Sequence, residues 1–394
     1  MKKRHIAFGL FFLAVLYIVL PYFFEKKFFL NEILAFSGFL VFAYKRFKIQ
    51  RSLIVTLVIL LISVSFIHAI VSLFRADSFY YYLRNLVIAY SMFSFFLGYF
   101  LFPYLKIFLN RMGVFIKTYV LVFLIIPIVF IYDRFGMSVF FPLVIKKINR
   151  HYILLLLVLF TGVYSINYES STILILSAFY LFLFLCRSFL LFKMAIAVAI
   201  LSFATVFIYL LPYLSIEQYG YSYFSTDAIW MVIRSHPILE IDPNSTWRLV
   251  IWKQIIVDLF PSNILGIGFG TPALKYFPIE DYSKLSTLPY VLGAHNSFIY
   301  LFGRLGIAFL IIIAAIYSKI FKEFFLYRNY YYSNLGVLFF YSFFAISSVA
   351  IFNPSLETPI YASSYWLFLG FLAKVVQIRE SKHPSTNSKK NDEE

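Results

Sequence analysis

The chain predicts an all-α, polytopic integral membrane protein of about 12 transmembrane helices with one long periplasmic or extracellular loop, and three observations carry that prediction. Of 394 residues, 62% are hydrophobic and 22% aromatic while only 13% are charged, a balance far outside that of a soluble globular domain. Apolar runs long enough to cross a hydrocarbon core recur in series. The Lys and Arg residues behind the formal charge of +16 fall mostly in short segments between those runs, where the positive-inside rule accounts for them without nucleic acid.

The elements follow in order. MKKRH and the apolar run after it have the shape of a signal peptide, but LPYFFEKK offers no small-residue cleavage site, so the run reads as an uncleaved first span. Spans are expected near Ile6 to Phe24, Phe28 to Tyr44, Leu53 to Phe74, Leu83 to Leu105 and Val114 to Tyr132. After a short run, Met137 to Ile145, come Tyr152 to Ile166, Thr172 to Leu191, Met194 to Leu214, Ser297 to Tyr317, Leu335 to Phe352 and Tyr361 to Val376. This divides the chain into an N-terminal bundle (1–214), an outer loop (215–296), C-terminal helices (297–376) and a disordered cytoplasmic tail (377–394).

Alternate connections are basic: Met1 to His5, Lys45 to Arg51, Lys106 with Arg111, Lys146 to Arg150, and Lys319 with Lys322 and Arg328. These faces, and both termini, are expected in the cytoplasm, and the connections bearing Asp77, Asp133, Glu169 and Glu357 outside. The alternation holds if Met137 to Ile145 crosses; a re-entrant segment is the competing reading. Counting from both ends places the 215–296 loop outside. The loop breaks any similarity between the two halves, which counts against a transporter built from repeats. Cys186, the single cysteine, lies in an apolar run, so neither an intramolecular disulfide nor a cysteine metal cluster is expected.

The loop is the long stretch that mixes charges, prolines, glycines and histidines. Asn244, Ser245 or Thr246 can cap a helix that Pro261 stops, and Arg248, Trp252, Ile255 and Leu259 then share one stripe. Arg248 on that apolar face is either an interfacial arginine snorkelling toward water or a cation presented to an anion, with Trp252 able to stack on its guanidinium. LGIGFG departs from the dinucleotide fingerprint, so Gly266, Gly268 and Gly270 point to tight turns or close backbone approach instead.

His295, with Asn296 beside it, stands immediately before an apolar run, as an interfacial residue or as a neutral imidazole able to accept a proton. No HExxH or paired carboxylate accompanies it, so no metal is expected. Arg304 lies nine residues on, inside a span, and Arg84 near the outer end of another. Each is either part of a structural ion pair or part of a cationic cradle for a phosphate-bearing lipid.

Arg248 with Trp252, then LGIGFG, then HNSF leading into LFGRLG resembles the O-antigen ligase and polymerase family of bacterial envelope proteins. The resemblance is specific over Trp247 to Gly306, and the span number, the long loop and NPSLETP before the last span extend it loosely over the chain. It implies a metal-independent glycosyltransferase of the bacterial inner membrane, acting on its outer face without a cofactor. The implied partners are an undecaprenyl-diphosphate-linked glycan donor, a glycan or lipid A-core acceptor and membrane lipids. By this likeness Arg248 would bind the donor diphosphate and His295 would deprotonate the acceptor hydroxyl.

Family ligases carry a Ser-Arg pair at the outer start of an earlier span, where this chain reads YESSTILIL from Tyr168. Either Arg84, Arg234 or Arg304 supplies the second cation, or the protein is a repeat-unit polymerase. A polyprenol-linked glycan flippase is the rival from another class, and it fits less well because most ionisable groups sit at span ends.

Overall fold

The computed structural model describes residues 30–45, 49, 52–107, 177–178, 180–182, 185, 189–211, 248–249, 251–260, 262–271, 294–333 and 336–382. Among them every regular element is helical. Among the described residues four helices are long and apolar enough to cross a membrane: Leu53–Leu73, Phe79–Ile107, Leu190–Leu210 and Ser297–Leu326. Most of the expected spans between Lys106 and Leu191, the first span, Arg234, the caps at Asn244 to Thr246 and the chain from His383 lie outside the described residues.

The elements are α1 (Leu30–Lys45), α2 (Leu53–Leu73), α3 (Phe79–Ser91), α4 (Phe189–Leu210), a π-helical turn (Gln254–Leu259), α5 (Ser297–Leu326), α6 (Arg328–Ser333), α7 (Gly336–Phe352) and α8 (Pro359–Lys382). Helix α3 continues through a turn at Met92 and Phe93 into residues 94–107. It starts four residues before the expected boundary, because Ser78 caps it by accepting the Tyr81 N–H at 3.4 Å. Helix α4 runs unbroken through Lys193, where a break between two spans was expected.

The largest correction is at the C-terminus, where residues 377–382 continue α8 instead of beginning a disordered tail. They are held because Arg379, 3% exposed, reaches a buried carboxylate on α5.

Helix α5 is the central column, packed against α2, α4, the π-helical turn, α6 and α7, while α8 packs on α1, α3 and α7. Small residues let backbones meet: a Cβ on Gly98 would strike Leu367 O, and one on Gly370 would strike Phe95 O. Aromatic rings fill the rest. Phe324 alone contacts Phe325, Phe340, Tyr341 and Phe344 at centroid distances from 5.2 to 6.0 Å.

Candidate functional site

The N-terminal end of α5 collects four sequence-distant segments, and a break in α5 itself makes this possible. Gly306 sits at φ 68° and ψ −159°, interrupting the helix. The carbonyls of Gly303 and Arg304, released from the intrahelical ladder, accept instead from Ile267 N at 3.0 Å and Gly268 N at 2.9 Å. Ile307 N, which would have donated to Gly303 O, donates to Ile264 O at 3.0 Å. The glycine loop is thus stitched into the helix, with no orphaned backbone group at those places.

The expectation of close backbone approach at the glycines holds. Gly266, Gly268 and Gly270 have φ of 86°, 72° and 83°. A Cβ on Gly266 would collide with the backbone of Arg304, and one on Gly268 with the Ser72 hydroxyl. That hydroxyl accepts the Phe269 N–H at 2.7 Å, fixing the loop to the end of α2, and Ser78 N donates to Gly270 O at 3.2 Å.

Arg304 is 1% exposed and serves the same loop. Its Nη1 donates to Gly268 O at 3.1 Å and to Thr271 O, and its Nη2 to the Tyr300 hydroxyl at 2.8 Å. The guanidinium also lies over the Tyr300 ring, 4.8 Å from its centroid. An intramembrane arginine is costly unless its donors are used, and here carbonyls and a phenol engage both terminal nitrogens, while the buried Nε has no partner among the described residues. Tyr300 passes the chain on by donating to Asn85 Oδ1 at 2.9 Å.

His295 adopts φ 48°, the one non-glycine residue with positive φ among those described, a conformation that places the imidazole just ahead of the helix. Asn296 is the cap: its Oδ1 accepts Ile299 N at 3.0 Å. Trp252 fixes the approach to His295 by donating its indole N–H to Ala294 O at 2.8 Å. The expected stripe changes character at Gln254, where the helix widens into the π-helical turn. Ile251, Trp252 and Ile255 are all buried there.

Burial, and after it the positive charge of Arg248, push the His295 imidazole down from 6.5 to about 4. It is neutral at pH 7 with a cation for a neighbour. Arg84, half-buried one turn into α3, has no hydrogen bond or ion pair among the described residues.

The connection between α7 and α8 completes the site. Ser297, two residues after His295, donates its hydroxyl to Asn353 O at 3.0 Å and accepts Leu356 N at 2.9 Å. The next residue is Glu357. Both its carboxyl oxygens are shut off from solvent, although the residue as a whole is partly exposed, and neither has a hydrogen-bond partner among the described residues. Burial pushes this carboxyl up from 4.5 to about 8, against the opposing pull of Arg304 and then Arg84.

The structure therefore brings His295, Asn296, Arg248, Trp252, Arg84, Arg304 and the three glycines to one end of the bundle, while Arg234 lies outside the described residues. Sequence reasoning missed Tyr300, Asn85 and the placement of Glu357. The available signal for Glu357 was an acid directly after NPSL, in a chain with only 18 acidic residues. Among the described residues no three His, Cys, Asp or Glu side chains converge as metal ligands do. No protein-family model matches the chain, and no curated protein or solved structure shows significant similarity to it.

Proposed function

We propose that the protein is a membrane glycosyltransferase of O-antigen ligase type, joining an undecaprenyl-diphosphate-linked glycan to an acceptor glycan on the outer face of the bacterial inner membrane. The observation that carries this reading is a neutral imidazole, His295, set beside the guanidinium of Arg248 at the end of the bundle that also holds Arg84. A diphosphate needs cations, and an acceptor hydroxyl needs a base. In the reaction the acceptor oxygen attacks the anomeric carbon, the bond from that carbon to the diphosphate oxygen breaks, and undecaprenyl diphosphate leaves. His295 takes the hydroxyl proton.

The geometry divides the arginines. Arg304 is engaged with Gly268 O, Thr271 O and Tyr300, so its part is to hold the loop, and the phosphate-binding role falls to Arg248, whose charge reaches His295, with Arg84. An imidazole of pKa about 4 is a weak base in the empty site. A dianionic donor beside Arg248 offsets the charge that depresses it, so donor binding itself raises the basicity of His295.

About 12 spans, both termini in the cytoplasm and an outward-facing 215–296 loop complete this reading. Cysteines introduced at Asp281 and Lys48 test it with an impermeant thiol reagent: position 281 reacts in cells with an accessible envelope and position 48 does not. The reverse pattern would put the site in the cytoplasm and remove the proposal. The activity is tested with full-length protein in liposomes containing an undecaprenyl-diphosphate-linked oligosaccharide, an acceptor glycan from the host cell's own surface polysaccharide and EDTA, where glycan transfer without nucleotide sugar is expected and its absence contradicts the reading. A repeat-unit polymerase is the second reading, favoured by YESSTILIL where ligases carry Ser-Arg, and extension of the donor glycan by further donor units distinguishes it.

A further inference from the structure

The site end holds polar atoms that folding has buried and left without partners. Glu357 contributes two acceptors, Oε1 and Oε2. Asn85, 4% exposed, uses its Oδ1 for the Tyr300 hydroxyl and leaves its Nδ2 donor unused among the described residues. Glu357 and Arg84 both lie close enough for their charges to act on the Tyr300 phenol, the same hydroxyl that donates to Asn85 Oδ1. A buried polar group without a partner is costly, and native structures carry few of them.

The leftover set has a definite chemistry. Carboxyl oxygens turned toward a ligand call for donors, and an amide N–H calls for an acceptor. Protonated, the Glu357 carboxyl offers one donor and one acceptor oxygen, beside the donors Asn85 Nδ2 and Arg304 Nε. A diphosphate at neutral pH offers acceptors only, so it leaves the carboxyl's acceptor oxygen unmatched. Hydroxyl groups donate and accept from the same oxygen, and a sugar presents several in a row.

Resting on the transferase reading above, we propose that Glu357, together with Asn85, forms the hydroxyl-binding subsite for the acceptor glycan. The Glu357 oxygens receive sugar O–H groups, and a sugar oxygen receives the Asn85 amide. The loop carrying Glu357 is tied by Ser297 to the turn carrying His295, so the subsite holds an acceptor against the base. Neither arginine in range can take this part, since both are donors only.

The experiment uses full-length protein in nanodiscs, wild type and Glu357→Gln, with a mild-acid hydrolysate of the host cell's own surface polysaccharide as the probe. Thermal stabilisation is followed against probe concentration, and acceptor and donor KM are measured separately. The carboxyl is protonated before the acceptor arrives, and sugar O–H donors favour its ionised form. A hydrogen bond to a charged group is worth about tenfold or more in affinity, so half-saturation and acceptor KM rise by at least about that factor while donor KM stays within about twofold. Glu357→Asp, which draws the acid back by one methylene, lies between and decides alone if the Gln protein is not recovered folded. Unchanged half-saturation in these variants, or no stabilisation of wild type by the glycan, overturns the subsite. Stabilisation that depends on Glu357 without any transfer by wild type would leave the subsite standing and remove the transferase reading.

Discussion

The two ends of α5 treat a buried glutamate in opposite ways. At the C-terminal end the Glu323 side chain is 4% exposed, and both its oxygens are engaged. Lys319 Nζ stands 2.8 Å from Oε1, the Tyr331 hydroxyl 3.2 Å from Oε2, and Arg379 reaches both. Lys319 also pairs with Glu380 at 2.8 Å. About 39 Å away at 1.5 Å per residue, at the N-terminal end, Glu357 has two arginines in electrostatic range and bonds to neither. The first end is an ion-pair cluster whose carboxylate is satisfied by the fold. The second keeps donors and acceptors unmatched, as expected of a surface whose partner is a substrate.

The largest effect expected from breaking this contrast is at the kink. Gly306→Ala forces a Cβ into the backbone of Ile264 and Leu265 at φ 68°, so it should cost upward of about 4 kcal/mol and separate the glycine loop from α5. Loss of a monodisperse peak in detergent checks it. At the paired end, Glu323→Ala leaves Arg379 buried without its carboxylate and should cost about 3–5 kcal/mol. At the site end, Glu357→Gln should cost nothing and raise the melting temperature, because it removes an acid that the fold must keep protonated and leaves without a hydrogen-bond partner among the described residues. Equal destabilisation by both variants would erase the distinction between the ends.

A smaller effect separates the two through pH. The unfolded chain ionises Glu357 near 4.5, whereas the fold holds it protonated up to about 8, so the folded state carries the extra proton in that window. Stability is therefore lost as pH rises from 4.5 to about 8, by a few kcal/mol at most at about 1.4 kcal/mol per unit. His295 runs the other way: neutral in the fold down to about 4 and protonated in the unfolded chain below 6.5, it lowers stability as pH falls through that range. The stability gained by Glu357→Gln should accordingly be larger at about pH 8 than at about pH 5, measured by thermal unfolding. The smallest effect is electrostatic: Arg248→Ala should raise the His295 pKa, moving the acid limb of the kcat/KM profile upward.

Much of the frame was legible because a membrane span is written locally. The runs at Leu53 and Gly336 needed only apolar length, and their observed bounds lie close to expectation. Helix α5 starts at the expected Ser297 but runs nine residues past the expected Tyr317 to Leu326, taking in Lys319 and Lys322, which were expected in a connection. His295, Asn296 and the glycines were legible because they punctuate such a run. What escaped depends on distance in the chain. Tyr300 meets Asn85 across 215 positions, and nothing in the local pattern of either residue marks the other. GRLG reads as ordinary helix, so the break at Gly306 that admits the loop gives no periodic signal. Arg304 was visible as an intramembrane charge, but its service to two loop carbonyls follows only from that break.

The most direct test of the central claim, that the N-terminal end of α5 is a catalytic site with His295 as its base, is the transfer rate of a His295→Asn protein. Asparagine tolerates the left-handed backbone that position 295 adopts and keeps a hydrogen-bonding group, but it cannot take a proton. With undecaprenyl-diphosphate-linked donor and acceptor both saturating, the rate should fall by about 10²- to 10⁴-fold while the melting temperature stays at the wild-type value. Transfer at the wild-type rate by that folded variant would contradict the account.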